Sequence, residues 1–114
     1  GLCTNRPQAA TLEILRRFNL SKYFSAVLGG DVLDNIKKPD PRHLLSVIER
    51  LDAAPSETVM LGDGAHDISA AKAAGVFSIV AAYGYLKTAP EKMGGDGILS
   101  SLKDLPGVLS QISN

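Results

Sequence analysis

Two aspartates set four residues apart raise the question of chemistry. Asp63 closes the apolar run Thr58-Val59-Met60-Leu61-Gly62, and Asp67 follows in Gly62-Asp63-Gly64-Ala65-His66-Asp67. Earlier in the chain, Lys38 stands in Lys37-Lys38-Pro39-Asp40-Pro41, and Thr4-Asn5 follows Leu2-Cys3. A hydroxyl, an ammonium and two carboxylates suit a phosphoryl group and a magnesium ion. Magnesium takes a few carboxylate oxygens and keeps several waters. The ammonium meets phosphate as a point charge, and hydroxyl and backbone N–H groups bond its oxygens. Each residue also has a plain structural account. Asp67 can cap a helix, Asp63 can be a turn residue, Asp40-Pro41 is a good helix start, and Thr4 or Asn5 is an ordinary N-cap. Like charges at this spacing cost an isolated helix about 0.2–0.5 kcal/mol. The helix dipole offsets about 0.3–1 kcal/mol, so the aspartate pair is tolerable without a metal. His66 reads as incidental, Cys3 as a core residue, and Tyr83 and Tyr85 as packing residues beside a loop.

Such groups need a scaffold. Leu2-Cys3-Thr4 predicts the end of a short strand, and Pro7 suits the first turn of a helix capped by Thr4 or Asn5. Leu12, Ile14, Leu15 and Phe18 predict that helix's buried face. Ala26-Val27-Leu28 predicts a second strand stopped by Gly29-Gly30. A second helix, capped by Asp40-Pro41, has Leu44, Ile48 and Leu51 as its inner stripe. Residues 58–61 predict a strand buried on both faces, and a helix over 67–74 is ended by Gly75 in the left-handed conformation. A strand over 77–82, a short one at Ile98-Leu99, and a terminal helix lined by Leu102, Leu105, Leu109 and Ile112 complete the chain. Pro106 is tolerated early in that helix, and residues 87–96 form the loop expected to move. Alternating strands and helices predict an α/β fold, a Rossmann-like three-layer sandwich with a mostly parallel sheet and right-handed crossovers. Thr4, Lys38 and Asp63 then fall at or just beyond strand carboxyl ends, where open parallel sheets place ligands.

Composition narrows the partners. The 114 residues fit one domain, 1–114. Lys plus Arg and Asp plus Glu are both 12, so no basic excess points to nucleic acid or an anionic membrane. Phosphate must be held by a few placed groups. Cys3 is the only cysteine, which excludes an intrachain disulfide and a Cys/His metal cluster and suits the reducing cytoplasm. No apolar run reaches the length of a membrane span.

In order and spacing, Thr4-Asn5-Arg6-Pro7, then Gly29-Gly30-Asp31 with Lys37-Lys38-Pro39-Asp40-Pro41, then Gly62-Asp63-Gly64-Ala65-His66-Asp67 resemble motifs two to four of the haloacid dehalogenase-like phosphatases. The resemblance covers essentially the whole chain. Gly29-Gly30-Asp31, the doubled lysine and Ala82-Tyr83-Gly84-Tyr85 look most like phosphoglycolate phosphatases. The resemblance implies a magnesium-dependent phosphate-monoester hydrolase working on a small phosphorylated metabolite. Thr4 and Asn5 would bind the transferred phosphoryl group. Lys38 would neutralise it, Asp63 would bind Mg²⁺, and Asp67 would assist as metal carboxylate or by ordering Lys38 or a metal water.

The family's first motif, Asp-x-Asp, occurs nowhere between Gly1 and Asn114, and no cap domain precedes motif two. The expectation is a partial haloacid dehalogenase-like core, inactive alone, whose nucleophile lies in the reading frame ahead of Gly1. The family's sheet order, 5-4-1-2-3, makes the absent strand the central one. The strands ending at Thr4 and Leu61 would then face a gap, each about 4.7–4.9 Å from the missing neighbour. The chain would close the gap, borrow a strand as a homodimer, or stay loose. Two other classes compete with the hydrolase. A receiver-like phospho-acceptor domain has its acidic pair first, the reverse of the order here. A noncatalytic remnant would act through its exposed edge.

Overall fold

The computed structural model describes residues 1–113. Two parallel sheets form. In the first, β1 (Leu2–Cys3) pairs with β2 (Val27–Leu28). In the second, β4 (Phe77–Ala81) lies between β3 (Val59–Gly62) and β5 (Gly97–Leu99). With strands on both sides, β4 buries Ser78, Ile79, Val80 and Ala81, as a central strand of a parallel sheet must. Helices α1 (Gln8–Arg17), α2 (Pro41–Arg50), α3 (Ala65–Ala74) and α4 (Leu105–Ser113) follow β1, β2, β3 and β5, whereas β4 is joined to β5 by a loop with only a 3-10 turn. This is the α/β, parallel-sheet architecture expected from the pattern.

Helix α2 holds the halves together. Asp40 caps it by accepting from the Arg42 N–H at 2.9 Å, and Pro41 opens its first turn. Its Leu44 and Ile48 pack with Met60 of β3, Ala71 and Val76, and with Cys3 of β1. Val47 packs with Ala26 and Leu28 at β2. Full burial of one such side chain contributes about 1.5–3 kcal/mol, so α2 ties β1 and β3 to one core. Among the described residues, however, no backbone ladder joins β1 to β3. Among these residues β1 and β3 each have a strand partner on one side only.

Several elements differ from expectation. On α1 only Thr11 and Leu15 are buried, whereas Leu12, Ile14 and Phe18 are exposed, Phe18 by 72%. A two-stranded sheet is too narrow to cover the whole helical face. Neither Thr4 nor Asn5 caps α1: its N-cap is Pro7, and the Gln8 N–H donates to Asp31 at 2.8 Å, a carboxylate brought in from the β2–α2 loop. Helix α3 starts at Ala65, so Asp67 sits inside its first turn. Gly75 ends it with φ 73°, as expected. Leu102 lies in a 3-10 turn before α4, Pro106 stands in that helix's first turn, and no residue of α4 is buried. Tyr83 is half exposed and Tyr85 almost fully exposed, so neither packs as expected. The 87–96 loop carries a short 3-10 turn, Pro90–Lys92, and is pinned at its end by Asp96, which accepts from the Ser78 N–H at 2.8 Å.

Candidate active site

Lys38 is the hub of the polar groups. Its Nζ donates to the Cys3 carbonyl at 2.8 Å, at the end of β1, and is ion-paired with Asp67 Oδ1 on α3. Lys38 and Asp67 are 10% and 13% exposed along their side chains, so the pair is largely removed from water. Its main chain is held as well. The carbonyl accepts from Asn5 Nδ2 at 2.9 Å, and the N–H donates to His43 Nδ1 at 3.2 Å. The Lys38–Pro39 bond is cis.

Asp67 engages both carboxylate oxygens. Oδ1 takes Lys38, and Oδ2 accepts the Gly64 N–H at 3.1 Å, satisfying a donor at the start of α3. Gly62 permits this, because a Cβ there would collide with the Asp67 side chain. Helix cap and lysine partner are thus one residue, with one hydrogen bond accepted at each Asp67 oxygen.

Asp63 stands apart from that pair. At the carboxyl end of β3, its Oδ2 accepts the Tyr85 N–H at 3.0 Å from the loop after β4. A Cβ on Gly84 would strike the Asp63 side chain, so only glycine lets this loop close on it. Asp63 Oδ1 makes no hydrogen bond among the described residues. Asp63 borders a cavity of about 300 Å³ with the exposed His66, Tyr85, Lys87 and Thr88. The described residues hold no cluster of three or more His, Cys, Asp or Glu suited to a metal. A hard carboxylate oxygen fits Mg²⁺, which keeps waters in its other positions, and the unbonded Asp63 Oδ1 is of that kind.

Thr4 ends β1 with its N–H on the Leu28 carbonyl at 3.1 Å, and its Oγ1 accepts from the Arg6 N–H at 3.2 Å, leaving the hydroxyl proton to donate. It lines a separate groove with Leu2, Thr11, Ile14 and Leu15. Asn5 donates one of its two side-chain N–H groups to the Lys38 carbonyl, while its Oδ1 is buried without a partner among the described residues. Asn5 therefore supports the lysine and keeps a second side-chain N–H. Burial pushes the Cys3 thiol up to about 11, against the opposing pull of the Lys38 charge, which suits an inert core residue.

The structure thus brings Asn5, Lys38 and Asp67 into one network and leaves Thr4 after β1 and Asp63 after β3 outside it. The sequence pattern missed His43, which looked like one more position on α2, and the Tyr85 N–H, since a backbone donor carries no side-chain signature. Gly84 was the legible trace of the second.

The family model described as haloacid dehalogenase-like hydrolase matches residues 1–75. The phosphoglycolate phosphatase of Escherichia coli (strain K12) is 47% identical over 85 residues, which are 75% of this chain and 33% of that protein. That of Salmonella typhi is 46% identical over the same length and shares. The chain spans about a third of the length of these curated relatives. Among solved structures, a protein of Haemophilus somnus 129pt described as a predicted phosphoglycolate phosphatase superposes with TM-score 0.86 at 28% identity, covering 94% of this chain and 48% of that one. A HAD phosphatase from Thermococcus onnurineus gives TM-score 0.73 at 29% identity, covering 90% and 46%.

Proposed function

Because the chain belongs to the haloacid dehalogenase-like hydrolases, we propose that it carries the phosphoryl-holding part of a cytoplasmic phosphate-monoester hydrolase, with phosphoglycolate the first substrate to try. The observation that carries this reading is the Lys38 ammonium, buried at the end of β1 and fixed by Asp67 and the Cys3 carbonyl. A cation in that position neutralises a transferring phosphoryl group, and it is held before the substrate arrives. The 47% identity to a phosphoglycolate phosphatase supports the substrate class.

In this reading Lys38 binds phosphoryl oxygens, the Thr4 hydroxyl donates to one of them, and Asp67 keeps the ammonium in place. Asp63 would hold Mg²⁺ through Oδ1. The ion, when bound, supplies positive charge against the phosphoryl oxygens. The attacking carboxylate, which would form an aspartyl-phosphate, is not among these 114 residues. The chain alone is therefore expected to be inactive.

A second reading, a noncatalytic interaction module, draws on the unpaired edges of β1 and β3. One assay separates the two: release of inorganic phosphate from phosphoglycolate by the protein expressed with the reading frame ahead of Gly1. Turnover lost on Asp63→Asn supports the hydrolase; no turnover on any phosphate monoester favours the module. Steady turnover by the 114-residue chain itself would overturn the division of the site proposed here.

A further inference from the structure

His43 is fully buried, yet it serves no step assigned above. Its ring lies between two backbone groups. Nδ1 accepts the Lys38 N–H at 3.2 Å, and Nε2 lies 3.1 Å from the Leu28 carbonyl. An acceptor nitrogen carries no proton, and a carbonyl can only accept, so Nε2 must donate. The two contacts together select one neutral tautomer.

We propose that His43 is the positioning residue of Lys38, its neutral imidazole fixing the loop from which the ammonium reaches the phosphoryl site. That the ammonium serves a phosphoryl site rests on the hydrolase reading; the positioning itself does not.

The geometry is specific. His43 is the third residue of α2, whose start is capped by Asp40 and whose next residues, Leu44, Val47 and Ile48, are core. The Leu28 carbonyl also accepts the Thr4 N–H at 3.1 Å. One imidazole therefore couples α2, the end of β2, the backbone of Thr4 and the Lys38 loop. With Asn5 Nδ2 on the Lys38 carbonyl, both main-chain polar groups of Lys38 are tied. A lysine on a free loop would lose stem and backbone freedom each time it met phosphate; here the backbone part is already fixed. A leucine would fill the space but leave the Lys38 N–H without its acceptor and the Leu28 carbonyl with the Thr4 N–H alone. Protonation would turn a second N–H toward the Lys38 N–H, so only the neutral ring fits. Burial, reinforced by the nearby Lys38 charge, lowers the His43 pKa and keeps it in that form.

The test is ¹⁵N NMR on the 114-residue chain. Expected are an unprotonated Nδ1, a protonated Nε2, and a coupling through the hydrogen bond between the Lys38 amide nitrogen and His43 Nδ1. His43→Leu is expected to speed Lys38 amide exchange on the order of tenfold, the loss of one hydrogen bond, with the amides of residues 59–61 unchanged. His43→Asn, which sets an oxygen acceptor near the Nδ1 position, is expected to restore protection. A protonated Nδ1, an absent coupling, or equal Lys38 exchange in the Leu and Asn variants overturns the assignment. If His43→Leu fails to fold, the tautomer and coupling of the unmutated chain decide. None of these readouts involves phosphate, so failure of the hydrolase reading and failure of this inference remain distinguishable.

Discussion

The Asp67 carboxylate joins two functions in one group: Oδ1 pairs with the Lys38 ammonium and Oδ2 accepts the Gly64 N–H that opens α3. Two positions twenty-nine residues apart are thereby tied by a single side chain, at a point where the end of β1, the Lys38 loop and α3 converge.

Removing one partner of a buried pair strands the other charge, which typically costs about 3–5 kcal/mol. Asp67→Ala is expected to fall in that range, and it also loses the helix cap. Lys38→Met combined with Asp67→Leu is expected to recover most of the loss, because neither charge then remains buried. Urea midpoints of the three chains check this. Equal midpoints for the single and double variants would contradict it.

In the protein that carries an Asp-x-Asp segment, Lys38→Ala and Asp63→Asn are each expected to lower kcat on the order of 10²–10³-fold, the scale for losing one group that stabilises a transferring phosphoryl. His66→Ala is expected to be mild, since that side chain is exposed at the cavity rim. Comparable damage from His66→Ala and Lys38→Ala would reassign the roles.

On the proposed reading of Asp63 as a Mg²⁺ ligand, Gly84 predicts a metal effect without a change in any ligand. A methyl there collides with Asp63 and displaces the carboxylate from the Tyr85 N–H. Gly84→Ala in the complete protein is expected to weaken Mg²⁺ about 10–100-fold, as is usual when a ligand's support is lost. Titration of activity against Mg²⁺ at saturating substrate measures the shift.

His43 makes stability depend on pH in a definite direction. Burial lowers its pKa below the ordinary 6.5. As pH falls past that value the unfolded chain takes up a proton and the folded chain does not, so protons favour unfolding. Stability from this group is complete above 6.5, declines below it, and levels off once the folded chain also titrates. Urea midpoints at about pH 7.5 and about pH 5.5 should differ less in His43→Asn than in the unmutated chain.

The open edges of β1 and β3 predict association. Unpaired strand edges recruit further strands, and the exposed Leu12 and Ile14 of α1 and Phe18 at its end add apolar surface. The isolated chain is expected to form dimers or a loosened, aggregation-prone monomer. Sedimentation velocity with amide exchange measures both. A monomer whose amides at residues 59–61 exchange only by global unfolding would rule it out.

The sequence alone determined the alternation of elements, because apolar period, caps and breakers are local properties: Asp40-Pro41 starts α2 and Gly75 ends α3 as read. It also determined that Thr4, Lys38 and Asp63 fall near strand ends, since motif order and strand placement both lie along the chain. Tertiary structure decided what each group touches. Asp67 lies four residues from Asp63 but bonds Lys38, twenty-nine residues away, because the N-terminal turn of α3 directs its carboxylate back toward Gly64 and the Lys38 loop. Asp63 instead meets a backbone N–H twenty-two residues later. The apolar face of α1 was legible as a pattern but not as buried surface, because burial needs a neighbour and β1 and β2 cover only Thr11 and Leu15. His43 was invisible for the same reason: one imidazole on a helix means little until the fold sets the Lys38 N–H against one nitrogen and the Leu28 carbonyl against the other.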